Sequence, residues 1–130
     1  MQQVIGYTEY PLDIRFASIR REETNSANLL ADIGNYVHHA DVTLFNCGCL
    51  RTDDIVEGSL TIKDILTILP ITDPLVLVEA TGEQIWKLLE NAVSKSPALE
   101  GRFATVSGMT FKYDSRKEAG SRIDPEDIMI

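Results

Sequence analysis

The sequence feature that most constrains the fold is a short apolar run at residues 74–80, PLVLVEA. A membrane-spanning helix needs roughly 20 consecutive apolar residues, so this run is too short to cross a bilayer. It predicts instead a central β-strand that is buried on both faces. Thr81 and Gln84 follow at the spacing of a capping box, which predicts a helix directly after the strand.

Two further segments have the pattern of helices. Residues 22–39 carry apolar side chains at every third or fourth position, and Thr24 or Asn25 can cap the start. The apolar positions are Leu29, Leu30, Ile33 and Val37. Thr61 and Asp64 again have capping-box spacing, and Pro70 ends the helix that they begin.

Strand-like segments alternate with these helices. They lie at residues 41–45, 103–107 and 109–113, whereas the first ten residues are either strand-like or a linker and we expect a loop around Gly58. This order predicts an α/β fold of the mixed α+β kind, a layered mixed sheet with helices. Residues 128–130 resemble the start of another strand, so we expect a single domain over residues 1–130 whose sheet is truncated.

The charge balance restricts the partners. The chain has 12 Lys and Arg against 20 Asp and Glu, a net charge of −8. A nucleic-acid polymer is therefore not an expected partner, because such polymers bind basic surfaces. A small anionic ligand needs only two or three well-placed cations. The amino terminus lacks the basic and apolar regions of a signal peptide, and we expect no membrane segment.

Two cysteines, Cys47 and Cys49, are separated by one residue. This spacing rarely permits a disulfide between them, and a zinc site requires more ligands. His38 and His39 raise the possibility of a Cys2His2 site, but no zinc-type spacing matches. We expect free thiols, which favour a reducing compartment such as the cytoplasm without determining the compartment.

The specific signal is a succession of four motif blocks. They are residues 20–32 (RREETNSANLLAD), 46–51 (NCGCLR), 64–70 (DILTILP, followed by Thr81-Gly82) and 101–109 (GRFATVSGM). Over roughly residues 12 to 122 this order resembles the C-terminal domain of the 5'-nucleotidase (metallophosphoesterase) family. No nucleophile elbow, P-loop or H-E-x-x-H motif occurs, so no catalytic or metal-binding residue is expected in the chain itself.

The resemblance implies a division of labour between two domains. In that family an N-terminal domain holds two divalent metal ions and hydrolyses the substrate, and the C-terminal domain binds the nucleotide. The chain is thus expected to be the substrate-binding domain of a hydrolase that acts on nucleotides or related phosphate esters. Its implied partners are this small-molecule ligand and the N-terminal catalytic domain of the same parent, and the chain alone is expected to be inactive.

The resemblance also implies five substrate-binding residues. Arg20 and Arg51 match the two arginines that bind the anionic end of the substrate. Asn46 matches the asparagine that opens the glycine-rich turn and contacts the ligand, and Gly101 matches the glycine beside the base pocket. Ile71 stands where family members that hydrolyse adenosine nucleotides place a stacking aromatic.

The residues alone leave simpler interpretations open. Each arginine has acidic neighbours for a surface ion pair, Asn46 is a common turn residue, and Gly101 can be a loop glycine. The acidic neighbours are Glu22 and Glu23 for Arg20, and Asp53 and Asp54 for Arg51.

Departures from the family pattern indicate a divergent branch whose substrate need not be AMP. They are Ile71, Ala27, the bulkier turn NCGCLR and the absence of a G-x-D-G segment after residue 130. Two alternative functions follow. One is a non-catalytic protein-interaction module with a drifted pocket, and the other is a small zinc or redox protein that uses Cys47 and Cys49.

Overall fold

The structure, a computed structural model, describes residues 2–130 and confirms the mixed α/β class. Short 3-10 turns at Cys47–Cys49 and Pro125–Asp127 accompany four helices and four strands. In chain order these are β1 (Val4–Asp13), α1 (Phe16–Ile19), α2 (Asn25–His38), β2 (Thr43–Asn46), β3 (Ile55–Thr61), α3 (Ile62–Ile68), α4 (Gly82–Val93) and β4 (Ala104–Ser107).

The strands form two separate antiparallel pairs. β1 pairs with β3, and β2 pairs with β4 in a register that places Thr43 opposite Ser107 and Asn46 opposite Ala104. β3 replaces the loop expected around Gly58. Its less exposed positions are Val56, Gly58 and Leu60, so a glycine interrupts the apolar alternation by which sequence reveals a strand.

The helix starts agree with the capping patterns. Thr61 and Thr81 each accept a hydrogen bond from the backbone three residues on, and the side chain there returns one, which completes both capping boxes. Thr24 caps α2 by accepting from the Ala27 N–H. None of the helices in residues 2–130 combines the length and the apolar character that crossing a membrane requires.

The core lies where α1 and α4 meet the turn after β2. Its largest fully buried side chains are Ile14, Ile19, Cys47, Leu89 and Val93. Glu90 is also buried, and its carboxylate accepts hydrogen bonds from the backbone N–H groups of Ile123 at 2.6 Å and Gly120 at 3.1 Å. These bonds satisfy the buried carboxylate oxygens and fix the segment around residue 120 on α4.

Among the predicted apolar positions of α2, Leu30 is partly buried and packs against the core, whereas the other three lie outside it. The face that packs against β2 and β4 consists of small residues, Ser26, Ala27, Ala31 and Gly34. A Cβ on Gly34 would lie 2.8 Å from Cε2 of Phe45, so the helix approaches the sheet too closely for a larger residue. Leu29, Ile33 and Val37 remain exposed.

Residues 74–80 are the main correction. The structure places no strand there, and Val76, Leu77 and Val78 are 76%, 69% and 73% exposed. A groove of about 990 Å³ runs along this segment and is also lined by Leu44 of β2 and by Ile130. An apolar run becomes a buried strand only beside a partner strand, and no such partner occurs within residues 2–130.

The two remaining expected strands reduce to one contact. Within 109–113 and 128–130, Thr110 and Met129 form an isolated antiparallel bridge with hydrogen bonds of 2.8 and 2.9 Å. Neither segment continues as a ladder in the described residues.

The end of β4 is fastened to α2. The Ser107 hydroxyl donates to the Asp32 carboxylate at 2.6 Å. The same hydroxyl oxygen accepts a longer hydrogen bond of 3.4 Å from the side-chain amide of Asn35. Gly108 then turns with φ of 78°, and a Cβ there would lie 2.2 Å from the Asp41 carbonyl oxygen. Only glycine fits this turn without moving backbone.

We expect Gly108→Ala to lower the free energy of unfolding by about 3 kcal/mol or more, because left-handed strain adds to a backbone clash. Gly120→Ala is the matched control. Gly120 has φ of 92° but nothing within 4 Å of an added Cβ, so only the strain of about 1–2 kcal/mol applies. Urea unfolding followed by circular dichroism measures both, and equal losses would contradict the role of the Asp41 contact.

Candidate functional site

Two arginines lie beside one aromatic ring. Phe16 is the first residue of α1, and Arg20 follows four residues later, which places both on the same helix face. The Arg20 Cζ lies 4.0 Å from the centroid of the Phe16 ring, and the Arg51 Cζ lies 5.8 Å from it. Both distances lie within the range of a cation–π contact.

Backbone hydrogen bonds bring Arg51 to this ring. The Arg51 N–H donates to the Ile68 carbonyl at the end of α3, at 2.9 Å. Asp53 then accepts the Phe16 N–H at 2.7 Å through its carboxylate, and the Ile14 N–H donates to the Asp54 carbonyl at 2.9 Å. The turn that carries Arg51 is therefore joined to the start of α1.

Neither arginine forms an ion pair with its acidic neighbours. Asp53 is engaged by the Phe16 N–H, and Glu23 accepts from the Asn28 amide at 2.8 Å. The ion pairs within residues 2–130 are Asp13–Arg15, Glu83–Lys87, Glu100–Arg102 and Asp114–Arg116. The surface ion-pair interpretation is therefore wrong for Arg20 and Arg51.

The polar atoms of both arginines are also weakly used. Arg20 donates from Nη1 to the Leu99 carbonyl at 3.4 Å, and Arg51 donates from Nη1 to the Gly48 carbonyl at 3.5 Å. In the described part of the chain, Arg20 Nε and Thr52 Oγ1 are buried without a hydrogen-bond partner. These long or absent bonds leave donor capacity in a group that has five N–H donors.

A close backbone contact builds the glycine-rich turn. Asn46 ends β2, and the Gly48 N–H donates to the Gly101 carbonyl at 2.9 Å. The Asn46 side chain donates to the same carbonyl at 3.4 Å. A Cβ on Gly48 would lie 2.9 Å from the Gly101 Cα, so this approach requires glycine. Gly101 is therefore a packing glycine that meets the turn.

The structure thus brings four of the five expected substrate-binding residues together. Arg20 and Arg51 share the Phe16 ring, Asn46 and Gly101 share a hydrogen bond, and the Arg51–Gly48 contact links the two pairs. Ile71 lies on the segment after α3 and is 52% exposed. The roles of all five in binding remain predictions.

A separate cavity of about 240 Å³ lies between the start of α2 and residues 103–113. Its lining includes Glu22 and Glu23 and none of the five residues above. Two carboxylates at a cavity disfavour an anionic ligand there, so the arginine pair is the better candidate for an anion.

Phe16 was missed by the sequence analysis. It belongs to none of the four motif blocks, and its helix is only four residues long, too short to give a periodic pattern. The available signal was its spacing of four residues from Arg20.

The two thiols are poorly suited to redox or metal chemistry. Burial raises the pKa of Cys47 to about 12. The positive charge of Arg20 lowers this pKa but offsets only part of the increase. Burial also raises the pKa of Cys49. Both cysteines are free, and a thiol must lose its proton before it attacks or binds a metal.

The fold and the site define a small mixed α/β domain in which two arginines, without ion-pair partners among residues 2–130, lie beside a glycine-rich turn. The family model described as 5'-nucleotidase, C-terminal domain, matches residues 4–128. The chain therefore belongs to the 5'-nucleotidase C-terminal domain family.

Three relatives show the extent of the similarity. The chain is 28% identical over 123 residues to the Trifunctional nucleotide phosphoesterase protein YfkN of Bacillus subtilis, covering 92% of this chain and 8% of that protein. It is 28% identical over 139 residues to human 5'-nucleotidase, covering 98% and 24%. The crystal structure of the 5'-nucleotidase precursor from Thermus thermophilus matches with a TM-score of 0.88 at 33% identity, covering 95% of this chain and 25% of that one. The chain thus spans about a quarter or less of these proteins.

The resemblance assigns the divalent metal pair to the N-terminal domain of the family and not to the domain that this chain represents. Within residues 2–130, no three His, Cys, Asp or Glu side chains lie together in a group that could hold a metal ion. His38 and His39 therefore form no zinc site with Cys47 and Cys49.

We expect the buried Cys47 thiol to make stability fall at alkaline pH. Its pKa is raised from 9.0 to about 12 on folding, so its contribution is full below about pH 9 and is lost as pH rises from 9 towards 12. Urea unfolding of wild type and Cys47→Ala between pH 7.5 and 10 measures this under reducing conditions. Above pH 9 the free energy of unfolding of the wild type should fall more steeply than that of Cys47→Ala, by up to about 1.4 kcal/mol per pH unit. Parallel curves for the two proteins would contradict the raised pKa.

Proposed function

We propose that this chain binds the substrate of a 5'-nucleotidase-type phosphoester hydrolase, a nucleotide or a related phosphate ester. Arg20 and Arg51 bind the anionic end of the ligand, and the Asn46 amide adds a neutral donor. The observation that carries the proposal is the pair of guanidinium groups at 4.0 and 5.8 Å from one ring, without a carboxylate partner among residues 2–130.

The chemistry of arginine supports an oxyanion ligand. A guanidinium group is planar, remains charged at any physiological pH, and offers parallel N–H donors that match phosphate oxygens. Two such groups beside one ring carry like charges, and an anion that contacts both replaces their repulsion with two attractions. The exposed Arg51 and Asn46 keep the site open to solvent and therefore to a diffusing ligand.

The similarity to a nucleotide phosphoesterase and to 5'-nucleotidases supports a nucleotide or phosphate ester as the ligand class. With Ile71 at this position, we expect weaker binding of the base than an aromatic side chain would provide. An aliphatic side chain can cover a base face, but the stacking on an aromatic ring, about 1–3 kcal/mol, is lost. The proposal therefore attributes most of the binding affinity to the phosphate end of the ligand.

The hydrolysis itself is assigned to an N-terminal catalytic domain of the parent protein, which supplies the divalent metal pair. This chain binds and orients the substrate, and that catalytic domain is its protein partner. Phosphate esters presented to the chain alone with added Mg²⁺ or Mn²⁺ should therefore remain intact.

A second candidate function is a protein-interaction module. The exposed apolar side chains of residues 75–78 favour it, because contiguous apolar surface is a feature of interaction sites. Under this alternative the arginine pair has no ligand.

We expect Arg20→Ala and Arg51→Ala each to weaken the binding of inorganic phosphate and AMP by about tenfold or more, since each removes charge-assisted hydrogen bonds. Titrations of the chain followed by backbone amide chemical shifts measure this. Shifts should concentrate at Asn46, Gly48 and Gly101 and be absent with adenosine, which lacks the phosphate.

The matched control is Arg116→Ala, which makes the same change of charge at an 88% exposed side chain paired with Asp114 at 2.8 Å. Its affinity should equal that of the wild type. Equal affinity in all three variants, or no shift with any phosphate, would refute the proposal and leave the interaction module. Turnover of AMP by the pure chain would refute its non-catalytic role.

A further inference from the structure

Phe16 contacts both arginines of the anion site, although no motif contains it. We propose that Phe16 is a positioning residue, whose ring supports the guanidinium groups of both Arg20 and Arg51 without neutralising their charge. The inference rests on the proposed function, because it concerns how that same site is kept ready for an anion.

An aromatic ring solves a specific electrostatic problem. Two guanidinium groups that contact one ring carry like charges, so something must compensate for their mutual repulsion. A carboxylate would compensate, but it would also occupy the N–H donors and cancel the charge that attracts the ligand. The negative face of an aromatic ring attracts cations through its quadrupole and leaves the in-plane N–H donors available.

The hydrogen bonds of Arg20 agree with a ring as its main support. Its Nε has no partner within residues 2–130, and its Nη1 reaches the Leu99 carbonyl only at 3.4 Å. Its Cζ, in contrast, lies 4.0 Å from the Phe16 ring centroid. The position of the guanidinium group therefore depends on the ring more than on protein hydrogen bonds.

The ring is itself fixed relative to both arginines. The Phe16 carbonyl accepts the Arg20 N–H at 3.2 Å, and the Phe16 N–H donates to Asp53 at 2.7 Å. Asp53 lies two residues after Arg51, so the bond holds the turn that carries this arginine. It also engages the carboxylate of Asp53 with the backbone of α1 instead of with a guanidinium group. The side chain of Phe16 packs partly against the core.

Two substitutions distinguish the effect of the aromatic face of Phe16 from the effect of its apolar bulk. Phe16→Leu keeps an apolar side chain but removes the aromatic face, whereas Phe16→Tyr keeps the face. We expect Phe16→Leu to weaken the binding of inorganic phosphate and AMP on the order of tenfold, and Phe16→Tyr to bind within about twofold of the wild type. Phe111→Leu is the matched control, since it makes the same change away from the arginines and should leave affinity unaltered.

A spectroscopic readout tests the positioning directly. The side-chain protons of Arg20 should show upfield ring-current shifts in the ligand-free wild type and in Phe16→Tyr, and these shifts should vanish in Phe16→Leu. Urea unfolding of each variant confirms that it remains folded at the temperature of the titrations. In an Arg20→Ala background, Phe16→Leu should cost less affinity than in the wild type, because Phe16 acts through the arginines.

The outcomes separate this inference from the proposed function. If the wild type binds neither phosphate nor AMP, the proposed function and the inference both fail. If the wild type binds and Phe16→Leu binds equally well, the inference alone fails. Loss of affinity in Phe16→Leu without a change in the Arg20 proton shifts, or an equal loss in Phe111→Leu, would also overturn it.

Discussion

The contact between the backbones of Gly48 and Gly101 is the constraint on which the site depends. It joins the turn after β2 to the segment before β4 through a 2.9 Å hydrogen bond, and the neighbouring bond from Cys47 to Phe103 is 2.7 Å long. Side chains at either glycine would separate the two backbones. Because Arg51 follows the turn directly, its place beside Phe16 depends on this approach as well. A replacement that widened the contact would displace Arg51 without touching it.

Some motif residues join elements of the fold through hydrogen bonds, whereas others keep polar groups that the fold does not use. Asp32 and Ser107 belong to the first group, since their 2.6 Å hydrogen bond fastens α2 to β4, and Gly108 completes that corner. Arg20 and Arg51 belong to the second, because their guanidinium groups have only long hydrogen bonds and no ion pair in residues 2–130. A polar group that the fold does not use is the better candidate for a ligand contact.

How far the sequence predicts this structure depends on whether a signal is local. The capping boxes at Thr61 and Thr81 involve residues three positions apart, and both helices begin where expected. The run at residues 74–80 failed as a strand because strand formation depends on a distant partner that hydropathy does not reveal. Gly58 concealed β3 by interrupting its alternation. Arg20, Asn46 and Arg51 were predicted from the family motifs, whereas the contacts of Phe16 with the arginines arise only in the folded chain.

The net charge of −8 does not describe the electrostatics of the site, because that depends on the few charges close to it. Many carboxylates are already committed: Arg15 holds the pKa of Asp13 below its ordinary value through a side-chain hydrogen bond, and Thr61 does the same for Asp64. Asp53, the acid nearest Arg51 in sequence, faces a backbone N–H. Interactions between exposed charges are screened beyond roughly 8 Å at physiological salt, so a bound anion would experience the two arginines more than the whole chain. The acidic surface would still repel a long polyanion, which spans many screening lengths. Such a charge arrangement favours a small phosphate ester over a nucleic-acid polymer.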